Sequence, residues 1–119
     1  MLTANLVEQW VGVCPLSDLV PGRGVAAIID GVQVAIFLVG DQLFAVSNRD
    51  PFSGANVVSR GVVGTTGDVL KVASPMYKQA FDLRSGKCID EPTVALETFG
   101  VRATDGAVEV AFTPVYDAH

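Results

Sequence analysis

Histidine is almost missing from this chain: the only one among 119 residues is His119, at the C-terminal end. Cysteine is nearly as scarce, with Cys14 and Cys88 far apart and no Cys-x-x-Cys spacing. A metal centre needing two imidazoles and two thiolates at clustered positions therefore lacks its donors. The two cysteines read as reduced, partly buried small hydrophobic side chains, with a disulfide as the alternative. Charge is low as well: 18% of residues are charged and the formal net charge is −5. That balance lacks the basic face that phosphate binding needs, and it disfavours an anionic membrane surface. No apolar run approaches the ~20 residues of a spanning helix. Met1 to Val7 has no basic segment followed by an apolar one, so no signal peptide is visible and the chain reads as cytoplasmic. Helix signals are sparse too. Ser17-Asp18-Leu19 opens at most one turn before Pro21-Gly22 stops it.

What is present is a succession of strands and tight turns. Half of the residues are apolar, which excludes disorder and supplies one packed core. Gln9 to Cys14 reads as a first strand, and Trp10 within it as core or rim packing. Val25–Ile29 and Val32–Val39 flank Asp30-Gly31, a strong hairpin signal. Gly40-Asp41 reverses the chain into Gln42–Ser47, and Thr66-Gly67-Asp68 leads into Val69–Ala73. Ser85-Gly86 separates Ala80–Leu83 from Cys88-Ile89, and Asp105-Gly106 separates Phe99–Ala103 from Val108–Phe112. Alternation along the last two runs marks half-buried strands. The expected fold is all-β, with antiparallel sheets in a sandwich or partial barrel. One domain over 1–119 is expected, with a core of about 8–113 and a polar tail at 114–119.

Two segments break the strand pattern. Asn48 to Ser59 (NRDPFSGANVVS) is rich in turn formers, and Ser74 to Gln79 (SPMYKQ) follows a strand directly. Loops carried on a rigid sheet are where function concentrates. Other chemistries find little support. Asp50 and Asp82 have no base or nucleophile beside them, and Ser74 with His119 makes no triad. Neither G-x-G-x-x-G nor a phosphate-binding P-loop occurs, and Gly22-Arg23-Gly24 reads as a turn.

The order strand, DQLFAVSN, long loop, DVLKVASPMYKQAFDLRSGKCID, two final strands resembles a Rieske domain. That family carries Cys-x-His in its first loop and Cys-Pro-x-His in its second. By this resemblance Asn48 and Asp50 stand at the first pair, and Ser74 and Tyr77 at the second, with Phe81-Asp82-Leu83 and Ser85-Gly86 in the family's register. The resemblance covers roughly Trp10 to Phe112 and implies a small cluster-type subdomain of two loops. All four ligand positions are replaced, and hydroxyl, amide and carboxylate groups are poor substitutes for thiolates around iron and sulfide. A cluster-free Rieske-like chain with NRDPFSGANVVSRG and VASPMYKQAFDL resembles the small subunits of soluble NAD(P)H-dependent nitrite reductases. The resemblance implies a non-catalytic accessory chain, without a cofactor, supporting cytoplasmic nitrite reduction to ammonium in nitrate assimilation. Its partner would be a large subunit carrying FAD, sirohaem and iron–sulfur and binding NAD(P)H.

Under that reading the two loops become a docking surface. Phe52, Met76 and Tyr77 supply apolar and aromatic groups, and Arg49, Arg60, Lys78 and Gln79 a polar rim. The structural alternative is that these residues only hold the loops. Asn48 and Asp50 would then cap turns, Pro51 and Pro75 would stiffen them, and Tyr77 would fill the space of a lost cluster. The competing functions are a Rieske-type [2Fe-2S] ferredoxin, a cluster-free interaction domain of another oxidoreductase, and a mononuclear metal site using Asp50.

Overall fold

The computed structural model describes residues 8–76 and 78–112. Ten strands form three antiparallel sheets, and the described residues contain no α-helix. In chain order the strands are β1 (Gln9–Pro15), β2 (Val25–Ile29), β3 (Val32–Val39), β4 (Gln42–Ser47), β5 (Val62–Thr66), β6 (Val69–Ala73), β7 (Ala80–Asp82), β8 (Thr98–Phe99), β9 (Val101–Thr104) and β10 (Ala107–Phe112). The sheets run β1-β10-β9, β2-β3-β4-β8 and β5-β6-β7. Short 3₁₀ turns occupy Leu16–Asp18, where one helical turn is expected, and Val58–Arg60.

Local chemistry sets the hairpins. Ile29 pairs with Val32, leaving Asp30 and Gly31 as a two-residue turn at φ 53° and 83°. Positive φ at both positions is the requirement of a type I′ turn, whose twist matches the strands it joins. Asp105-Gly106 repeats the device between β9 and β10, at φ 51° and 80°.

The middle sheet is covered on both faces. Along β3, Val34 and Ile36 join Ile29, Ala45, Val108 and Val110 in one core. Ala35 and Phe37, pointing the other way, join Val46, Val58, Val72, Phe81, Leu83, Cys88 and Leu96 in a second. All four consecutive β3 residues are fully buried, which explains the unbroken apolar run VAIF. Cys14 packs at the edge of the first core and Cys88 lies inside the second; both thiols are free. Burial, and secondarily the Asp18 charge, pushes the Cys14 thiol above its ordinary range.

Two runs differ from their sequence pattern. The stretch around Phe99–Ala103 is divided: β8 pairs with β4 in the middle sheet, and after Gly100 the chain continues as β9 beside β10. Cys88-Ile89 is no strand, because Cys88 makes only an isolated bridge to Phe81. The partition places both turn-rich loops on the β5-β6-β7 sheet. The first loop joins β4 to β5, and the second joins β6 to β7. At the opposite end of β4, the Arg84 guanidinium donates to Gln42 Oε1 at 3.3 Å and lies over the Phe44 ring.

Candidate functional site

The site is built where the two loops meet. Asn48, Asp50 and Ser74 are the buried polar or charged residues of the described chain. Buried polar groups cost free energy unless they are hydrogen-bonded, so their partners define what the site is.

Asn48 directly follows β4 and fastens the first loop. Its side-chain Oδ1 accepts from the Ser59 amide at 2.7 Å, and its Nδ2 donates to Gln33 Oε1 at 2.9 Å and to the Asn56 carbonyl at 3.3 Å. Its backbone bonds both ways as well, N–H to the Gln33 carbonyl and carbonyl from the Val58 amide. One side chain thus ties β3, the loop centre and the 3₁₀ turn together. Gln33 is a partner the sequence pattern did not single out. Its signal was a lone polar residue inside the apolar run of β3.

Asp50 binds in two directions. Oδ1 accepts from the Phe52 amide at 2.8 Å, the turn geometry expected of an aspartate at a loop start. Oδ2 accepts from the Ser74 hydroxyl at 2.5 Å, across 24 residues of chain. Ser74 also receives the Met76 amide on its Oγ and donates its own amide to the Gln79 carbonyl, closing the second loop. The Asp50–Ser74 bond therefore links the two loops directly, at the positions that the Rieske resemblance assigns to metal ligands.

The other residues divide by exposure. Phe52 is half-buried and packs on the second core, its ring tilted against Phe81 at 6.2 Å between centroids. Met76 is 48% exposed beside exposed Pro75. Arg49, Arg60 and Lys78 project into solvent, and Lys78 adopts φ 59° as the second loop turns back. Gln79 is half-buried, with Cys88 Sγ 3.9 Å from its Oε1. Tyr77 and His119 lie outside the described residues. Asp82 is engaged elsewhere, its Oδ1 accepting from the Arg84 and Ser85 amides.

The residues present do not fit a Rieske cluster. Amide, carboxylate and hydroxyl groups stand where thiolate and imidazole are needed, and each is already committed to hydrogen bonds. No buried side-chain nitrogen or oxygen among the described residues lacks a partner, so none points at a missing ion. Nor do the described residues hold a group of three His, Cys, Asp or Glu side chains suited to a metal.

Comparison with known proteins identifies the family of this fold. Residues 9–111 match the family model described as a Rieske-like [2Fe-2S] domain. The nitrite reductase (NADH) small subunit of Salmonella typhimurium strain LT2 is 42% identical over 106 residues, covering 87% of this chain and 98% of that one. A crystal structure from Mycobacterium tuberculosis, assigned to the NADH-dependent nitrite reductase small subunits, superimposes with a TM-score of 0.87 at 45% identity. It covers 92% of this chain and 99% of the other. The nitrite reductase [NAD(P)H] large subunit of Klebsiella oxytoca is 38% identical over 103 residues, spanning 87% of this chain but 11% of that longer protein.

Proposed function

Because the chain belongs to the Rieske-like domain family and, within it, to the nitrite reductase small subunits, we propose that it acts by docking on a cofactor-bearing large subunit and carries no redox centre of its own. Nitrite reduction to ammonium is a multi-electron reaction, and its electrons must pass through flavin, haem or iron–sulfur groups. The observation that carries the reading is the Asp50–Ser74 hydrogen bond. It joins the two loops at positions that the Rieske resemblance assigns to cluster ligands, which supports loops that keep their shape without iron. A rigid tip that transfers no electrons remains useful as a surface.

The Klebsiella relative supports the partner. There a homologous segment is part of the same polypeptide as the rest of a large subunit, and covalent linkage keeps two modules at high effective concentration. In this chain the same association would be non-covalent. The setting is cytoplasmic assimilation of nitrate, with NAD(P)H as donor and FAD, sirohaem and iron–sulfur on the partner. The described residues contain no helix long and apolar enough to cross a membrane.

The test is expression of the large subunit with and without this chain. NAD(P)H-dependent nitrite reduction per folded large subunit, or the folded yield itself, is expected to rise when the chain is present. Equal activity and equal yield in its absence would remove the role.

A further inference from the structure

Three sheets leave six strand edges, and exposed edges are normally blunted by charge, proline, bulges, shortness or a covering segment. Four of them are. β1 has a register irregularity between Gly12 and Cys14 and ends at Pro15. β9 carries Arg102, ion-paired to Glu109 at 2.8 Å. β8 is two residues long, and β7 is bridged by Cys88. β2 (VAAII) and β5 (VVGTT) contain no charged residue and no proline, and among the described residues no further strand pairs with their outer edges. They also display the two most exposed large hydrophobic residues of the described chain, Ile28 at 69% and Val62 at 74%.

These two bare edges start from one place. Gly24, just before β2, lies so close to the first loop that an added Cβ would sit 2.3 Å from the Ser59 carbonyl oxygen. Ser59 belongs to the 3₁₀ turn that leads through Gly61 into β5. The neighbours of this junction, Arg23 and Arg60, are both exposed, and among the described residues neither makes an ion pair or side-chain hydrogen bond. The first acid after Arg23 in the chain is Asp30, in the turn beyond the far end of β2. Two free arginines beside uncharged strand edges stand out on a chain of net charge −5.

We infer that this flank receives an extended, carboxylate-bearing segment of the large subunit, which adds a strand to β5 and places its acids against Arg23 and Arg60. The inference rests on the proposed docking role and names the surface and chemistry that perform it. Backbone groups on the outer edge of β5, unpaired among the described residues, supply main-chain hydrogen bonds, and Val62 supplies apolar area. The arginines fix register and make association salt-dependent. The flank is continuous with the cluster-type loops, because the first loop ends in the 3₁₀ turn that joins them.

The test titrates the intact chain onto the purified, cofactor-loaded large subunit and follows backbone amide exchange of β5, free and bound. Val62→Lys and Arg60→Glu change solvent-exposed side chains, so their thermal unfolding is expected to match the unmodified protein. Each is expected to weaken binding about tenfold or more, while Lys87→Glu in the remote Ser85–Lys87 turn leaves it unchanged. Amides of β5 are expected to exchange at least about tenfold more slowly in the complex. Unchanged affinity in both variants, with unchanged β5 exchange, overturns the inference while the docking role stands. Failure of the unmodified chain to bind the large subunit at all overturns both.

Discussion

Ser74 and Asp50 carry the reading at the level of single residues. Removing the hydroxyl in Ser74→Ala leaves a buried carboxylate oxygen without its donor, a loss of about 1–3 kcal/mol. Asp50→Asn can still accept from the Phe52 amide and offer an N–H to the serine, so its cost is expected to be smaller. Urea unfolding of both variants checks the order; an unchanged midpoint for Ser74→Ala would mean the loops do not need this link. Phe52 and Met76 separate in the same way. Phe52→Ala empties half-buried volume against Phe81 and is expected to cost about 2 kcal/mol, whereas exposed Met76→Ala falls within about 0.5 kcal/mol. Met76 is therefore the cleaner probe of the loop surface, and its alanine variant is expected to co-purify less large subunit at equal stability. Undiminished recovery would take Met76 out of the docking surface. Asn48, Asp50 and Ser74 could be singled out from motif spacing, and the structure buries all three. The Asp50–Ser74 bond was not, since nothing local in either loop encodes a partner 24 residues away.

At the scale of elements, turns were the most readable feature. Asp30-Gly31 and Asp105-Gly106 announce positive φ through residue type alone, and the strands on either side follow. The division of the Phe99–Ala103 run between two sheets was hidden, because alternation within one strand is blind to which neighbour it pairs with. The bare edges of β2 and β5 were hidden for the same reason: an uncharged strand looks alike whether central or peripheral. Gly24 gives a sharp test of how the first loop sits on the middle sheet. An alanine there would collide with the Ser59 carbonyl and with Phe37 Cε1, 2.3 and 2.7 Å from its Cβ. Overpacking of this kind costs about 1–3 kcal/mol. Gly24→Ala is expected to lower the melting temperature and to speed amide exchange across Asn56–Gly61. Native-like values for both would show that the loop has room to move.

For the molecule as a whole, the middle sheet divides the labour. One face and the β1-β10-β9 sheet enclose the first core; the other face and β5-β6-β7 enclose the second, which supports both loops. Within that second core Phe37, Val46, Val58, Val72 and Phe81 are fully buried. In the function we propose, hydrogen bonds hold the loops of this Rieske-shaped scaffold in place of an inorganic centre, and its influence on nitrite reduction passes through contact. Iron and acid-labile sulfide analysis of the chain, expressed with ample iron and purified without oxygen, tests this most directly. The account predicts neither element in stoichiometric amount; two irons and two sulfides per chain, the content of a [2Fe-2S] centre, would contradict it.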